Sequence, residues 1–219
     1  MNSNYDINPS GMMLNRVVAD TYKLLALCLL LSSVAAYLAV EYAIGQGLAF
    51  TFFVLAFLAG MFVLPKAAQG TTGIPLILGI SAALGASIGP MLQHYLNLSN
   101  GAEIIQMAFM GAAVIFASLS LYAIKSEKDF RFLNGLIISG VIAVLALMIF
   151  NIFAGIPLLS LALSFVVVML MAAVILMETS NIVNGGETNY IMATYGLFLA
   201  FFNLFTSLLN ILGFFSQQD

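Results

Sequence analysis

The stretch that decides the fold is "ETSNIVNGGETNYI", Glu178–Ile191, which joins two of the most apolar segments of the chain. It contains two carboxylates, several hydrogen-bonding side chains and a central Gly185-Gly186 pair, but no basic residue. A glycine pair permits a tight reversal of the backbone, and short polar side chains satisfy the free backbone groups at helix ends. The stretch therefore predicts a turn between two long apolar helices.

The overall composition indicates an integral membrane protein. Of the 219 residues, 63% are hydrophobic and only 7% are charged, and the mean hydropathy is +1.10. A soluble domain usually carries about 25% charged residues, so this chain is too apolar for that class. The lipid bilayer is thus its first partner, and the lack of a basic tract argues against nucleic acid as another.

Seven runs of the sequence are long and apolar enough to cross a bilayer as helices, which requires about 20 residues each. Barrel strands would instead alternate over about ten residues, so the predicted fold is all-α. We expect a flexible N-terminal tail over residues 1–21, a transmembrane domain over 22–214 and a short C-terminal tail over 215–219. The predicted spans are residues 22–43, 47–65, 73–95, 102–124, 132–153, 157–178 and 189–213.

The basic residues predict the orientation. They all fall before or at the very start of span 1, between spans 2 and 3, or between spans 4 and 5, and cytoplasmic loops carry the excess of Lys and Arg. The N-terminus should therefore be cytoplasmic and the C-terminus outside, with the turn at Gly185-Gly186 near the cytoplasmic face. The basic residues are Arg16, Lys23, Lys66, Lys125, Lys128 and Arg131.

Span 7 carries a stripe of small and polar residues, which is typical of a face that packs against other membrane helices. We expect the stripe to face the bundle interior and the remaining apolar side to face lipid or to pack at the periphery. The stripe consists of Asn189, Ala193, Gly196, Ala200, Asn203, Ser207 and Asn210. The apolar side consists of Leu197, Phe201, Leu204, Phe205 and Leu208.

The sequence offers no enzyme site. The segment "GASIG" matches the G-x-S-x-G pattern of hydrolases around Ser87, but that pattern requires a strand-to-helix elbow. His94 lies seven residues further on, about 10 Å along a helix, which is too far to accept the Ser87 proton. One histidine and one cysteine, Cys28, make no zinc site. We therefore expect a non-enzymatic protein with no cofactor and no bound metal.

Glu178 is the main candidate for a functional side chain, because ionisable groups at membrane depth are costly and usually functional. Asn181 continues its helical face, and Lys66 or Arg16 are candidate ion-pair partners. The alternative is a carboxylate that is merely solvated at the water boundary. Glu187 is either solvated or caps span 7, where the helix dipole favours a negative charge.

Several segments together carry a family resemblance. The opening stretch followed by "ATYGLFLAFFNLFTSLLNILG" (193–213) resembles the closing signature of the Bax inhibitor family, in particular its bacterial YccA branch. Looser support comes from "DTYKLLALCLLLS", "TTGIPLILGISAALGASIGPML" and "ASLSLYAIKSEKDF". The resemblance extends over nearly the whole chain and implies six helices around a central, C-terminal seventh helix in the bacterial inner membrane, with the C-terminus in the periplasm.

The resemblance also implies two functions. Members of the YccA branch modulate the membrane-bound AAA protease FtsH, as binding partners and slowly degraded substrates. Other family members are pH-sensitive leak channels for Ca²⁺ or H⁺ and carry a second acid in the middle of span 7. Here the first acid matches Glu178, but Ala200 occupies the second position. The resemblance thus favours the FtsH modulator, with the leak channel as the alternative, and leaves Asn181, Asn203, Glu187 and Lys66 as polar candidates around Glu178.

Overall fold

The computed structural model describes residues 9–126 and 128–216, and the side chains from Arg16 onward. Within these ranges the chain is helical and contains no strand, and seven segments are long and apolar enough to cross a membrane. This confirms the predicted all-α fold with seven spans. The α-helices are α1 (Pro9–Glu41), α2 (Gln46–Leu58), α3 (Leu64–Ala67), α4 (Gly73–Ser87), α5 (Gly89–Leu96), α6 (Gly101–Ser126), α7 (Asn134–Ala154), α8 (Pro157–Val183) and α9 (Tyr190–Ser216).

Two of the spans are made from more than one helix. A π-helical segment, Ala59–Val63, joins α2 to α3 within the second span. In the third span, α4 ends at Ser87 and α5 begins at Gly89, with Pro90 in its first turn. Proline is tolerated there because the first turn of a helix needs no donor from that position, so the span continues beyond the break.

The first helix begins earlier than the sequence predicts. Helix α1 starts at Pro9, so the predicted tail over residues 1–21 is wrong for its last thirteen residues, which are helical. Proline is favoured in the first turn of a helix, and this start signal outweighs the polar composition of the segment. Residues 1–8 lie outside the described part of the chain. At the other end, α9 continues to Ser216, two residues past the predicted boundary.

Helix α9 is the central helix of the bundle. Among the seven spans, its most apolar window is 61% buried, whereas the other windows are between 11% and 33% buried. It packs against α8, α6, α1 and α4. This arrangement agrees with the predicted bundle of outer helices around a C-terminal seventh span.

The predicted lipid-facing side of α9 is wrong. Leu197 and Leu204 are completely buried, and Phe201 and Phe205 are 5% and 8% exposed. The rings of Phe201 and Phe205 pack edge to face with the ring of Phe109 on α6. A central helix has neighbours on all sides, so its apolar side packs against other helices instead of lipid.

Small residues bring α4 and α5 close to α1. A Cβ atom added at Gly89 would lie 2.6 Å from the Cβ of Ala39, and one added at Gly85 would meet the backbone of Ser32. Ser81, one turn before Gly85, is fully buried. The small residues of this span therefore serve helix packing, as such ladders usually do in membranes.

Candidate functional site

The turn between α8 and α9 is closed by backbone hydrogen bonds to the last turn of α8. The amides of Gly186 and Glu187 donate to the carbonyl oxygen of Asn181, at 2.8 and 3.2 Å. Gly185 has a φ of +71°, a conformation that suits glycine because it has no Cβ. This is the reversal that the glycine pair predicts.

Asn189 caps the first turn of α9 and ties it to the second span. Its Oδ1 accepts hydrogen bonds from the amides of Ile191 and Met192, at 3.0 and 3.3 Å, and its Nδ2 donates to the carbonyl oxygen of Ala68 at 2.9 Å. Glu187 bonds a different amide, which lies before α9. Its Oε1 accepts a hydrogen bond from the amide of Asn189 at 2.7 Å. Asn189, not Glu187, is therefore the capping residue.

Ser180 anchors the loop between α6 and α7 to α8. Its hydroxyl donates to the carbonyl oxygen of Lys128 at 2.9 Å and accepts from the amide of Phe130 at 3.0 Å. The side chain of Asn184 donates to the hydroxyl of Ser180 at 3.1 Å. One buried serine thus satisfies two backbone groups of a loop that lies about fifty residues away in sequence.

Helix α1 is bonded to the same region through the side chain of Tyr22 and the backbone carbonyl group of Thr21. The hydroxyl groups of Tyr22 and Thr179 are 3.2 Å apart and share a hydrogen bond. Thr194 of α9, which is fully buried, donates to the carbonyl oxygen of Thr21 at 3.1 Å. The end of α8 and the start of α9 therefore hold the first span and two loops together; we call this region the polar junction.

The basic residues near the polar junction are exposed and pair with other acids than Glu178. Arg16 and Lys23 each lie 3.6 Å from the carboxylate of Asp20. Arg131 bonds the carboxylate of Asp129 at 2.6 Å, and its guanidinium lowers the pKa of that carboxyl group to about 2. Asp129 is accordingly ionised throughout the physiological pH range.

Glu178 lies in the polar junction on the face of α8 that meets α9, and it is half-buried. A Cβ atom added at Gly196 would lie 3.1 Å from its carboxyl carbon, so the absence of a side chain at Gly196 makes room for the carboxylate. Among the described residues, no Lys or Arg lies within ion-pair distance of Glu178. The predicted pairs with Lys66 and Arg16 are therefore not present, because Lys66 is exposed and Arg16 bonds Asp20.

The second span reaches this region through Tyr195. A Cβ atom added at Gly60, in the π-helical segment, would meet the hydroxyl of Tyr195. The second span therefore packs against the side chain of the residue that precedes Gly196 on α9. Single π turns within α-helices are often found at functional sites, although the sequence itself gives no signal for this one.

No second acid faces Glu178 from α9. Ala200 lies one turn beyond Gly196, is 1% exposed, and α9 contains no charged residue. Glu187 lies in the turn after α8, where its carboxylate accepts a hydrogen bond from the amide of Asn189. Within the described chain, α9 therefore offers no carboxylate to pair with Glu178.

The structure separates Asn203 from the polar junction. Its Nδ2 donates to the carbonyl oxygen of Leu199 at 2.8 Å, and it lines a cavity of about 830 Å³ together with Asn151, Ser160 and Asn210. Seven residues separate it from Gly196, about 10 Å along the helix. Asn203 and Glu178 therefore do not form one site.

The described chain gives no support to hydrolase chemistry at Ser87. Ser87 is the last residue of α4, and its hydroxyl donates to the carbonyl oxygen of Leu84 at 2.6 Å. A nucleophile elbow joins a strand to a helix, whereas Ser87 ends one helix and is followed closely by another. No group of three or more potential metal ligands occurs among the described residues.

Sequence reasoning missed several residues of the polar junction. Ser180 and Thr179 directly follow Glu178, and their position in a polar stretch between apolar helices was an available signal. The links from Thr194 to Thr21 and from Asn189 to Ala68 had no such signal, because their partners are backbone carbonyl groups distant in sequence.

Comparison with known proteins decides the family. Residues 14–217 match the family model described as "Inhibitor of apoptosis-promoting Bax1". The chain belongs to the Bax inhibitor family. Within this family it is 39% identical to the "Modulator of FtsH protease YccA" of Escherichia coli K12, over 93% of this chain and 92% of that protein.

Other members of the family match over similar lengths. A protein of Vibrio cholerae described as an uncharacterized membrane protein is 37% identical, over 94% of this chain and 92% of its own length. An uncharacterized protein of Pseudomonas aeruginosa is 36% identical, over 93% of this chain and 91% of its own length. The similarity to these relatives therefore extends over more than nine tenths of this chain.

Proposed function

We propose that this chain is a non-enzymatic modulator of the membrane AAA protease FtsH, acting in the inner membrane as a binding partner and slowly degraded substrate. The observation that carries the proposal is the 39% identity over 93% of the chain to the E. coli protein named as a modulator of FtsH. The polar junction supports it, because its hydrogen bonds join α8 and α9 to α1, to the α6–α7 loop and to Ala68 at the end of the second span. A substrate that resists unfolding would occupy a protease for longer than a loosely packed one.

We also propose an orientation in the membrane and the N-terminal segment through which FtsH engages the chain; we call this segment the handle. With the N-terminus in the cytoplasm, residues 1–8 lie before α1 on the side where an AAA protease would engage the chain, and the C-terminus lies in the periplasm. The first eight residues, "MNSNYDIN", contain few apolar side chains and so have little that could pack against the bundle. They are the segment through which we expect the protease to bind.

Deletion of residues 2–8 tests this handle directly. We expect the shortened chain to insert normally, to co-purify less with FtsH from detergent extracts and to be degraded more slowly. Deletion of residues 217–219 is the matched control, since it removes a terminal segment of similar polarity beyond α9. Equal co-purification and equal turnover of both variants and the intact chain would contradict the proposed handle.

A pH-sensitive leak of Ca²⁺ or H⁺ is the second candidate function. The observation in its favour is the half-buried carboxylate of Glu178, which faces Gly196 of α9 and has no Lys or Arg within ion-pair distance among the described residues. Against it stand Gly196 and Ala200 at the positions of α9 that meet this part of α8. Calcium flux in proteoliposomes distinguishes the two functions, and we expect little flux from the intact chain.

A further inference from the structure

A polar cavity lies between α7, α8 and α9, at the end of the spans opposite to the α8–α9 turn. Its volume is about 830 Å³, and small-molecule sites in proteins usually measure about 300–1,000 Å³. Its lining comes from the first third of α8 and the second half of α9, and Gly155 and Ile156 of the α7–α8 loop border it. The cavity therefore lies on the far side of α9 from the polar junction.

Three side chains of α9 that line the cavity have a polar atom without a partner among the described residues. The hydroxyl of Ser207 makes no hydrogen bond there, although this residue is only 7% exposed. Asn203 bonds the carbonyl oxygen of Leu199 through Nδ2 and leaves Oδ1 unbonded. Asn210 accepts from the hydroxyl of Tyr95 through Oδ1 and leaves Nδ2 unbonded. Such groups cost free energy in apolar surroundings until they find a partner, so this wall favours a ligand that forms hydrogen bonds.

The wall on α7 and α8 is different, because its polar groups already have partners. Asn151 donates from Nδ2 to the hydroxyl of Ser160 at 2.6 Å and accepts at Oδ1 from the amide of Ile156 at 3.1 Å. Leu163 and Val167 add apolar side chains to the same wall. The cavity thus has one wall that offers hydrogen bonds and one that offers mainly apolar contact.

This division of the lining favours an uncharged, amphipathic ligand. None of the described residues that line the cavity is charged, so a charged ligand would lose its hydration without gaining a counter-charge. The Oδ1 of Asn203 requires a donor and the Nδ2 of Asn210 an acceptor, and a hydroxyl group can be either. These two residues lie about 10 Å apart along α9, so a ligand with several hydroxyl groups along one side matches them. An alkyl chain alone would leave these polar atoms unbonded.

We propose that this cavity binds the sugar and the adjoining alkyl chain of an uncharged glycoside, which enters beside the α7–α8 loop. The sugar hydroxyl groups bond Asn203, Ser207 and Asn210. The alkyl chain displaces water from the apolar wall, which favours binding in proportion to the apolar area that is buried. The competing occupant is water alone, because polar cavities hold ordered water where it finds hydrogen-bond partners.

Cysteine labelling with ligand protection tests the site. The chain has one cysteine, Cys28, which is completely buried, and Cys28→Ala removes it. In that background we place Ser207→Cys in lipid nanodiscs, made from a detergent without a sugar headgroup, and follow its reaction with an uncharged, water-soluble maleimide. We expect the thiol to react, because the reactive thiolate forms only where water is present. n-Octyl glucoside, below its micelle concentration, should slow the reaction, whereas n-octyl glucuronide, which carries a carboxylate, should not.

Matched cysteines control for general effects on labelling. Ser99→Cys lies exposed between α5 and α6 at the same end of the bundle, and it should react at a rate that octyl glucoside leaves unchanged. Ala143→Cys lies on a face of α7 that the rest of the chain does not cover, and it should not react because lipid covers it. If Ser207→Cys lowers the unfolding temperature, Asn210→Cys repeats the measurement at a more exposed position of the same wall.

Four results would overturn the proposal. A thiol at position 207 or 210 that does not react would show that the cavity is closed to water. Reaction without protection by octyl glucoside would assign water as the sole occupant, and equal protection by the glucuronide would contradict an uncharged site. Asn203→Leu should weaken the protection about fivefold, the factor that corresponds to one hydrogen bond between neutral groups; unchanged protection in this variant would contradict binding along α9.

Discussion

The carboxylate of Glu178 faces Gly196, where a side chain would begin 3.1 Å from its carboxyl carbon. Glycine at position 196 thus sets how closely α8 and α9 approach and how much room the carboxylate has. One turn further along α9, Ala200 fills the position at which leak-competent relatives are expected to carry an acid. With these two small residues opposite α8, we expect Glu178 to act as a single carboxylate and not as half of a proton-sharing pair.

Enlarging Gly196 should destabilise the bundle. Gly196→Leu places a side chain against Glu178, and overpacking of this kind costs about 1–3 kcal/mol, so the thermal unfolding temperature in detergent should fall. Gly79→Leu is the matched control, because Gly79 is a helical glycine with open space around its Cβ position. Equal unfolding temperatures of the two variants would show that the α8–α9 contact tolerates the added volume.

Restoring an acid on α9 should create a pair with Glu178. Two carboxylates that interact strongly share a proton and titrate as one unit, so Ala200→Asp should produce a pH-dependent calcium flux in proteoliposomes where the intact chain shows little. Glu178→Gln in the Ala200→Asp background should abolish that flux. A flux from the intact chain as large as that of Ala200→Asp would contradict the interpretation that the intact chain lacks the second carboxylate needed for such a flux.

At the scale of elements, the polar junction explains why the stretch between α8 and α9 is so rich in Asn, Ser and Thr. Helix ends and loops leave backbone donors or acceptors without partners, and the junction bonds such groups in the α6–α7 loop and at Ala68, the C-cap of α3. The bonds from Ser180, Thr194 and Asn189 reach the α6–α7 loop, α1 and the second span, respectively. The α8–α9 turn therefore connects the ends of several spans on one side of the bundle.

Loss of the Ser180 hydroxyl should loosen the α6–α7 loop. Ser180→Ala leaves the buried amide of Phe130 without its acceptor, at a cost of about 1–3 kcal/mol. Trypsin should then cleave faster at Lys128 and Arg131, with a lower unfolding temperature in detergent. Ser139→Ala is the control, because Ser139 is exposed and bonds only the carbonyl oxygen of Leu136 in its own helix; cleavage equally fast in both variants would contradict the anchoring role.

The sequence predicts the seven spans because a membrane helix must satisfy its backbone internally and present apolar side chains over its whole length. It also predicts the reversal at Gly185, since a glycine pair between two apolar segments permits a tight turn of the backbone. It does not reveal the surroundings of Phe201 and Phe205, because a phenylalanine that faces lipid and one that faces another helix look alike in sequence. The partners of Ser180 and Thr194 are equally hidden, since backbone carbonyl groups carry no residue-specific signal.

At the scale of the whole molecule, the central position of α9 follows from its composition. It is the span with small and polar residues along one side and bulky apolar residues along the other, and it has no charged residue. Such a helix can pack closely with neighbours on every side, whereas α7, which has the least buried window of the seven, lies at the periphery.

The orientation of the bundle is testable with reporter fusions. Because the six basic residues belong to one side of the membrane, a reporter fused after Asp219 should be active only if it is a periplasmic type. A reporter inserted between Lys128 and Asp129 should be active only if it is a cytoplasmic type. A cytoplasmic reporter that is active after Asp219 would contradict the proposed orientation.

The central claim is that this chain modulates FtsH, and its most direct test is the activity of the protease itself. FtsH reconstituted in proteoliposomes with an unstable membrane substrate should degrade that substrate more slowly when an equimolar amount of this chain is present, while the chain itself is degraded more slowly still. Deletion of residues 2–8 should remove the inhibition, and deletion of residues 217–219 should preserve it. An unchanged rate of substrate degradation, at amounts of the chain up to a large excess over FtsH, would contradict the account.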